Sequence, residues 1–264
     1  MKSPIKYFGG KGTMFNTIAK EFPDHSSYRI YVEPFGGSGA MLFSQPLGHV
    51  EVYNDLYSNV YSLFKTLSTP ELYRQFKDMC DLAIYHEQIS IDCREKLKNN
   101  NLSIIDRAFC YWYTNRTRHN GIGGFSSNCY IRRNMSKATS DFLSCIDRLK
   151  DIHDRLSSVI ILNRDALEVI KKYDASNTFY YLDPPYSWET RTSSRYAVDF
   201  SPEQQKNLVD ILLSTKSKIL LSGYINEEYK RLEKAGWSRK DFEVKTTTGN
   251  FEKKIKIESL YKNY

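Results

Sequence analysis

Ile30-Tyr31-Val32-Glu33-Pro34-Phe35-Gly36-Gly37-Ser38-Gly39 combines a short β-prone run with a glycine-rich turn, and Ala40-Met41-Leu42-Phe43 then predicts the start of a helix. The motif is a strand, a glycine turn and a helix. Downstream, Val50-Glu51-Val52-Tyr53 predicts a second strand ending at Asn54-Asp55, and Leu56, Val60, Leu63, Phe64 and Leu67 follow at helical spacing. Strands alternating with helices predict an α/β fold with a mainly parallel, doubly wound sheet.

Beyond about Thr69 the alternation stops for roughly 90 residues, too long for an ordinary crossover in a compact α/β domain. Residues 69–157 are therefore expected to form an inserted lobe, with residues 1–68 and 158–264 forming the main domain. The rhythm resumes with Val159-Ile160-Ile161-Leu162 before Asp165, and with Phe179-Tyr180-Tyr181-Leu182 before Asp183-Pro184-Pro185-Tyr186. Ser201-Pro202-Glu203-Gln204 carries the signature of a capped helix start. A strand is expected from Lys218 to Leu221. Alternation on both sides of Gly249-Asn250 predicts a closing antiparallel hairpin.

The chain has 264 residues, 41% of them hydrophobic, and a formal charge of +7, enough for one substantial core and weakly suggestive of a polyanionic partner. Cys80, Cys93, Cys110, Cys129 and Cys145 show no paired spacing and no companion histidine cluster, so buried reduced thiols are expected and no metal. No stretch approaches the roughly 20 apolar residues of a membrane span. The expectation is a soluble, cytoplasmic protein with no membrane and no obligate protein partner.

A glycine turn at a helix start offers backbone amides to a small anion. Its spacing is not that of a dinucleotide site, since Leu42 stands where the last glycine would fall. Asp55, at the end of the next strand, is placed to accept ribose hydroxyls. Together they suggest a nucleoside with a short anionic tail, such as S-adenosylmethionine (AdoMet). The plainer alternatives are a tight turn for the glycines and a helix cap for Asp55. In Asp183-Pro184-Pro185-Tyr186 the prolines fix the backbone, so the Asp183 carboxylate and Pro184 carbonyl are both acceptors for an exocyclic amine, and Tyr186 offers a ring to a base removed from a duplex.

With these residues in hand, the chain resembles the Dam-type (D12 class) DNA adenine-N6 methyltransferases across nearly its full length. The resemblance rests on Lys6-Tyr7-Phe8-Gly9-Gly10-Lys11, on Val32 to Gly39 and on Asp183-Pro184-Pro185-Tyr186, all in the family's order. It implies a Rossmann-like AdoMet-dependent methyltransferase that methylates the N6 amine of adenine in double-stranded DNA by base flipping. It further implies cofactor contacts from Tyr7, Lys11, Phe35, Gly36, Gly37, Ser38, Gly39, Asp55, Asp165 and Asp183. Tyr7 stands where many members carry Trp.

From Arg107 to Ser140 there is no Asp or Glu, and Arg107, Arg116, Arg118, Arg132, Arg133 and Lys137 are interleaved with aromatic residues, the footprint of a nucleic-acid surface. Arg116, Arg118, Asn120, Gly121, Arg132 and Arg133 are the candidate DNA contacts, with a hairpin expected in Asn115 to Gly124. A solvated face is the alternative for the arginines, and lobe core for Phe109, Tyr111 and Trp112. The resemblance places target recognition in this insert. Relatives that read GATC usually carry Arg where this chain has Gly124. The competing functions are an amino methyltransferase acting on cytosine or RNA, and a catalytically silent DNA-binding homologue.

Overall fold

The computed structural model describes residues 1–6, 14–121, 123–185, 200–247 and 253–264. The strands are β1 (Ile30–Glu33), β2 (Val50–Asn54), β3 (Ile131–Arg132), β4 (Met135–Ser136), β5 (Val159–Leu162), β6 (Thr178–Leu182), β7 (Lys218–Gly223), β8 (Ser238–Thr247) and β9 (Lys253–Lys262). The helices are α1 (Phe15–Ala19), α2 (Ser58–Ser68), α3 (Pro70–Asp81), α4 (Glu87–Lys96), α5 (Ile104–Thr117), α6 (Lys137–Asp147), α7 (Leu149–Leu156), α8 (Ala166–Lys172), α9 (Pro202–Ser214) and α10 (Glu227–Lys234). The large sheet has the order β5-β2-β1-β6-β7-β9-β8. This is the Rossmann-like, mostly parallel sheet with a closing antiparallel hairpin that the sequence predicts. Two compact units are formed, one by residues 1–15, 37–47 and 57–163, the other by 16–36, 48–56 and 164–264.

In the second unit β1 pairs in parallel with β2 on one side and β6 on the other, and β6 pairs in parallel with β7. Every residue of β6 is buried, as a strand covered on both faces requires. Side chains alternate across the sheet. Phe179 and Tyr181 lie against the Phe22 ring, at 4.9 and 5.9 Å between centroids, while the Tyr180 hydroxyl donates to the carbonyl of Ile170 on α8 at 2.8 Å. β9 runs antiparallel to β7, and β8 closes the hairpin with Val244 opposite Lys256. The turn at Gly249-Asn250 lies outside the described residues. The predicted helix start is realised in full: Ser201 and Gln204 form a reciprocal capping box with Pro202 in the first turn.

One local expectation fails. After the glycine turn the chain makes only a 3₁₀ turn over Leu42–Ser44, not an α-helix. Gln45 is already extended (φ −72°, ψ 146°) because it precedes Pro46, and Gly48 follows. The apolar residues Met41, Leu42 and Phe43 are buried, as a helix would have buried them, so composition at this point cannot separate the two conformations. Leu56, read as part of the next helical face, is 47% exposed and precedes α2, which buries Val60, Leu63, Phe64 and Leu67.

The first unit is mainly helical. Trp112 on α5 is fully buried and packs its ring against Phe76 of α3 and Phe142 of α6, at 5.8 and 5.3 Å, so for Trp112 the core reading holds. β3 and β4 form a hairpin whose two-residue turn, Arg133 and Asn134, has φ of 52° and 58°, the double positive φ of a type I′ turn. Among the described residues no helix is long and apolar enough to cross a membrane. Cys80, Cys93, Cys110 and Cys145 are buried free thiols; Cys129, against expectation, is exposed, in the irregular segment that leads into β3.

Candidate functional site

In open parallel sheets ligands bind beyond the carboxyl ends of the strands, where the strand order reverses. Here the chain departs from β1 to β2 on one side and returns to β6 on the other. At those ends stand Pro34-Phe35-Gly36 after β1, Asn54-Asp55 at β2 and Asp183-Pro184-Pro185 after β6.

Asn54 ties the first two of these segments to a third, the chain at Arg164 after β5. It is fully buried, and its side-chain amide donates to the carbonyls of Pro34 (2.8 Å) and Arg164 (3.0 Å) while its Oδ1 accepts the Arg164 amide (2.9 Å). Its backbone carbonyl accepts the Gly36 amide at 2.8 Å. Phe35 and Gly36, Asp55 and Asp165 therefore sit beside groups bound to one residue. The fold requires a glycine at 36, since a Cβ there would lie 2.1 Å from Tyr53 Cε2. Phe35 is held edge-on to Phe200 at 5.6 Å.

Asp55 is buried, and the helix after it has Tyr57 at its N-cap, so Asp55 is not the helix cap. That role falls to Asp165, whose Oδ1 accepts the amides of Leu167 (2.8 Å) and Glu168 (3.3 Å) at the start of α8. The glycine turn continues with Gly37 (φ 52°), Ser38 and Gly39 (φ 65°), and the Ser38 carbonyl accepts the Ser3 hydroxyl at 2.6 Å. Without an α-helix behind it, the turn offers amides and no helix dipole.

Asp183 is half-buried at the end of β6 and Pro184 is buried. Around them lie tyrosines whose phenols are pushed above their usual range. Burial comes first in each case, with the Asp183 charge next for Tyr181 and Tyr224. Asp183 thus stands near phenols that burial and its own charge keep protonated. Tyr7, Lys11 and Tyr186 lie outside the described residues. Among the described residues no group of three His, Cys, Asp or Glu side chains stands where it could hold a metal ion.

The first unit holds the candidate DNA residues. α5 runs on to Thr117, so Asn115 and Arg116 belong to its last turn, and a 3₁₀ turn follows at His119–Gly121 with Asn120 at φ 51° and Gly121 at φ 80°. The hairpin expected within Asn115 to Gly124 is reduced to a single antiparallel bridge, Arg118 opposite Phe125, with the His119 amide donating to the Gly124 carbonyl at 2.9 Å; the regular hairpin of this unit is β3–β4. Contacts rather than propensity carry α5 through Asn115, whose amide is held by the Lys6 backbone, and the Asn-Gly pair makes a kinked turn. Arg118 folds back, its Nε donating to the Gly123 carbonyl. Arg132 pairs with Asp141, and Arg133 donates to the Ser144 hydroxyl at 3.1 Å.

Arg107 leaves the basic surface altogether. It is buried and donates to Asn59 Oδ1 (3.0 Å) and to the carbonyls of Asn99 and Asn100 (2.9 and 3.0 Å). Sequence reasoning also passed over a clamp at the end of α5. Asn115 accepts the Lys6 amide at 2.7 Å and donates to the Lys6 carbonyl at 2.6 Å, and the Lys6 ammonium donates to the carbonyls of Arg116 and Arg118, both at 3.2 Å. Burial, then the Arg116 charge, lowers the pKa of that ammonium. At the other end of the loop Tyr130 and Ile131 are 75% and 82% exposed on the β3–β4 hairpin.

A Rossmann-like sheet with Asp183-Pro184-Pro185 at the end of a central strand is the arrangement expected of an amino-group methyltransferase. The chain belongs to the D12 class N6 adenine-specific DNA methyltransferase family, whose model it matches over residues 7–256. It is 26% identical over 256 residues to the type II methyltransferase M.CviBI of Paramecium bursaria Chlorella virus NC1A, covering 88% of this chain and 90% of that one. It is 24% identical over 255 residues to the type II methyltransferase M.MjaIII of Methanocaldococcus jannaschii, covering 87% and 86%.

Proposed function

We propose that the chain transfers the methyl group of AdoMet to the N6 amine of an adenine flipped out of duplex DNA, at a defined sequence. The observation that carries this is Asp183-Pro184-Pro185 held at the carboxyl end of β6, beside β1 and its glycine turn. The residues present suit AdoMet: position 36 admits no side chain, and a buried carboxylate, Asp55, adjoins the strand end. AdoMet supplies an electrophilic methyl group on sulfonium. Phe35, Gly36, Gly37, Ser38, Gly39, Asp55 and Asp165 are assigned to hold it, together with Tyr7 and Lys11.

Asp183 and the Pro184 carbonyl accept the two hydrogens of the amine, which aligns the nitrogen lone pair and draws positive charge off it as the bond forms. Tyr186 stacks on the flipped base. Residues 69–157 form the recognition insert in this reading, with Arg116, Arg118, Asn120, Gly121, Arg132 and Arg133 on DNA. Two type II methyltransferases among its relatives support a place in a restriction-modification system.

Expression in a methylation-free host followed by sequencing with base-modification detection tests the reading. N6-methyladenine at one recurring sequence is expected, and Asp183→Ala should lower the rate by about 100-fold or more. Methylated cytosine, or no modified base, would overturn it.

A further inference from the structure

Asn54 has every polar atom of its amide engaged, and all of its partners belong to strand-end segments distant in sequence. One side chain with two donors and one acceptor in use spans Pro34, after β1, and Arg164, before α8, while its own carbonyl takes Gly36. The residues it binds through its side chain are not those assigned to the cofactor; each is a chain neighbour of one. Pro34 precedes Phe35, Arg164 precedes Asp165, and Asn54 itself precedes Asp55. A loop end can otherwise rotate about its backbone bonds, and each such freedom would have to be frozen when a ligand binds.

We propose that Asn54 is a positioning residue for AdoMet, one that sets Phe35, Asp55 and Asp165 in their binding positions before the cofactor arrives. The inference rests on the AdoMet reading above. Only an amide meets the demand. An aspartate of the same shape keeps the acceptor for the Arg164 amide but replaces both donors with oxygen facing the carbonyls of Pro34 and Arg164. A serine is too short to span both segments. Removing both donors leaves the buried Pro34 carbonyl unsatisfied and frees the partly exposed Arg164 carbonyl to water, and the loops relax to rehydrate both. The partners that Asn54 holds are Pro34, Gly36 and Arg164, none of them an assigned DNA residue, so its loss acts on one substrate and not the other.

The test uses the full chain with AdoMet as titrant and an oligonucleotide carrying the methylated sequence. By calorimetry, Asn54→Asp and Asn54→Ser should each weaken AdoMet binding by at least about tenfold. Oligonucleotide affinity should change by less than about twofold, and turnover at saturating AdoMet should stay near wild type, so that KM moves and kcat does not. Hydrogen exchange on the wild type gives a measurement that needs no variant: the Gly36 and Arg164 amides should be slow to exchange without AdoMet as well as with it. Exchange that is fast in the free chain and slows on loading would overturn the inference, as would AdoMet and DNA affinities falling together. Wild-type chain that binds no AdoMet would overturn the functional reading itself, and this inference with it. Binding by the wild type that Asn54→Ser matches would overturn only the inference.

Discussion

Gly36→Ala adds one methyl group in the turn proposed to hold AdoMet. Its Cβ would stand 2.1 Å from Tyr53 Cε2, 2.5 Å from Cζ and 2.6 Å from Cδ2, where carbon atoms rest at about 3.5–4.0 Å. The Tyr53 ring must retreat by about 1.4 Å, and it is fully buried. Overpacking of this kind costs about 1–3 kcal/mol. Gly36 is not among the positive-φ glycines, so alanine also stiffens the unfolded chain, returning about 0.4–1 kcal/mol. A net loss of roughly 1–2 kcal/mol remains, or roughly 2–8 °C in melting midpoint for a chain of this length. Tyr53 precedes Asn54, so AdoMet affinity should fall as well. Thermal unfolding by circular dichroism and AdoMet calorimetry measure the two effects. Tyr53→Leu removes the ring, and in the double variant the cost of the added methyl group should largely vanish, a favourable coupling. Gly36→Ala with wild-type melting, or a cost unchanged by Tyr53→Leu, would refute the steric argument.

Arg107→Met should destabilise the chain by about 2–4 kcal/mol, since three acceptors lose a charged donor; in a variant held below its melting point, the salt slope of DNA binding should match wild type. The pKa of His49 is held below its ordinary 6.5 by burial first and then by the charges of His25 and Arg29. The unfolded chain therefore binds more protons just below pH 6.5, so this contribution to stability is complete above that pH and is lost as pH falls beneath it. Midpoints measured from about pH 7 to about pH 5 should decline, and His49→Gln should flatten the decline. Tyr130→Ala and Ile131→Ala should leave the melting midpoint unchanged, because both side chains are exposed, yet weaken DNA binding, with stacking by an aromatic ring worth about 1–3 kcal/mol; DNA titration at fixed salt measures it.

What the sequence made legible were features carried by neighbouring residues. Val50 to Tyr53, Val159 to Leu162 and Phe179 to Leu182 are short β-prone runs that a turn or polar residue closes, and each is a strand within a residue of its reading. The box at Ser201 and Gln204 lies within a single helical turn, so the sequence alone displays all of it. Asn54 is the opposite case: its partner Arg164 is 110 residues away, and nothing in Tyr-Asn-Asp distinguishes a knot of three loops from a strand end. Asp165 and Asp55 show the same limit from another side. Both acids follow a strand, and only the position of the next helix decides which caps it. The turn over Leu42–Ser44 escapes the pattern because burial of Met41, Leu42 and Phe43 satisfies an apolar run in either conformation, leaving Pro46 as the deciding residue.

The acid-free run from Arg107 to Ser140 overstates the charge available to DNA, and folding explains by how much. Arg107 is spent on the lobe's interior, and Arg118 on its own loop. Asp141, the first residue beyond the run, takes both Arg132 and Lys137. These last pairs are exposed, with Arg132 at 47% and Asp141 at 36%, and an exposed pair is worth at most about 1 kcal/mol. Exchanging Asp141 for a phosphate is then nearly neutral in energy, so the pair is no obstacle to the DNA role proposed for Arg132. Arg107 has no such exchange open to it, because its guanidinium is buried against Asn59 and also held by the carbonyls of Asn99 and Asn100, and leaving them costs more than a phosphate contact at the surface returns. In the proposed function, the number of phosphate contacts and the salt slope they set therefore follow from which arginines sit in exposed pairs and not from how many the sequence contains.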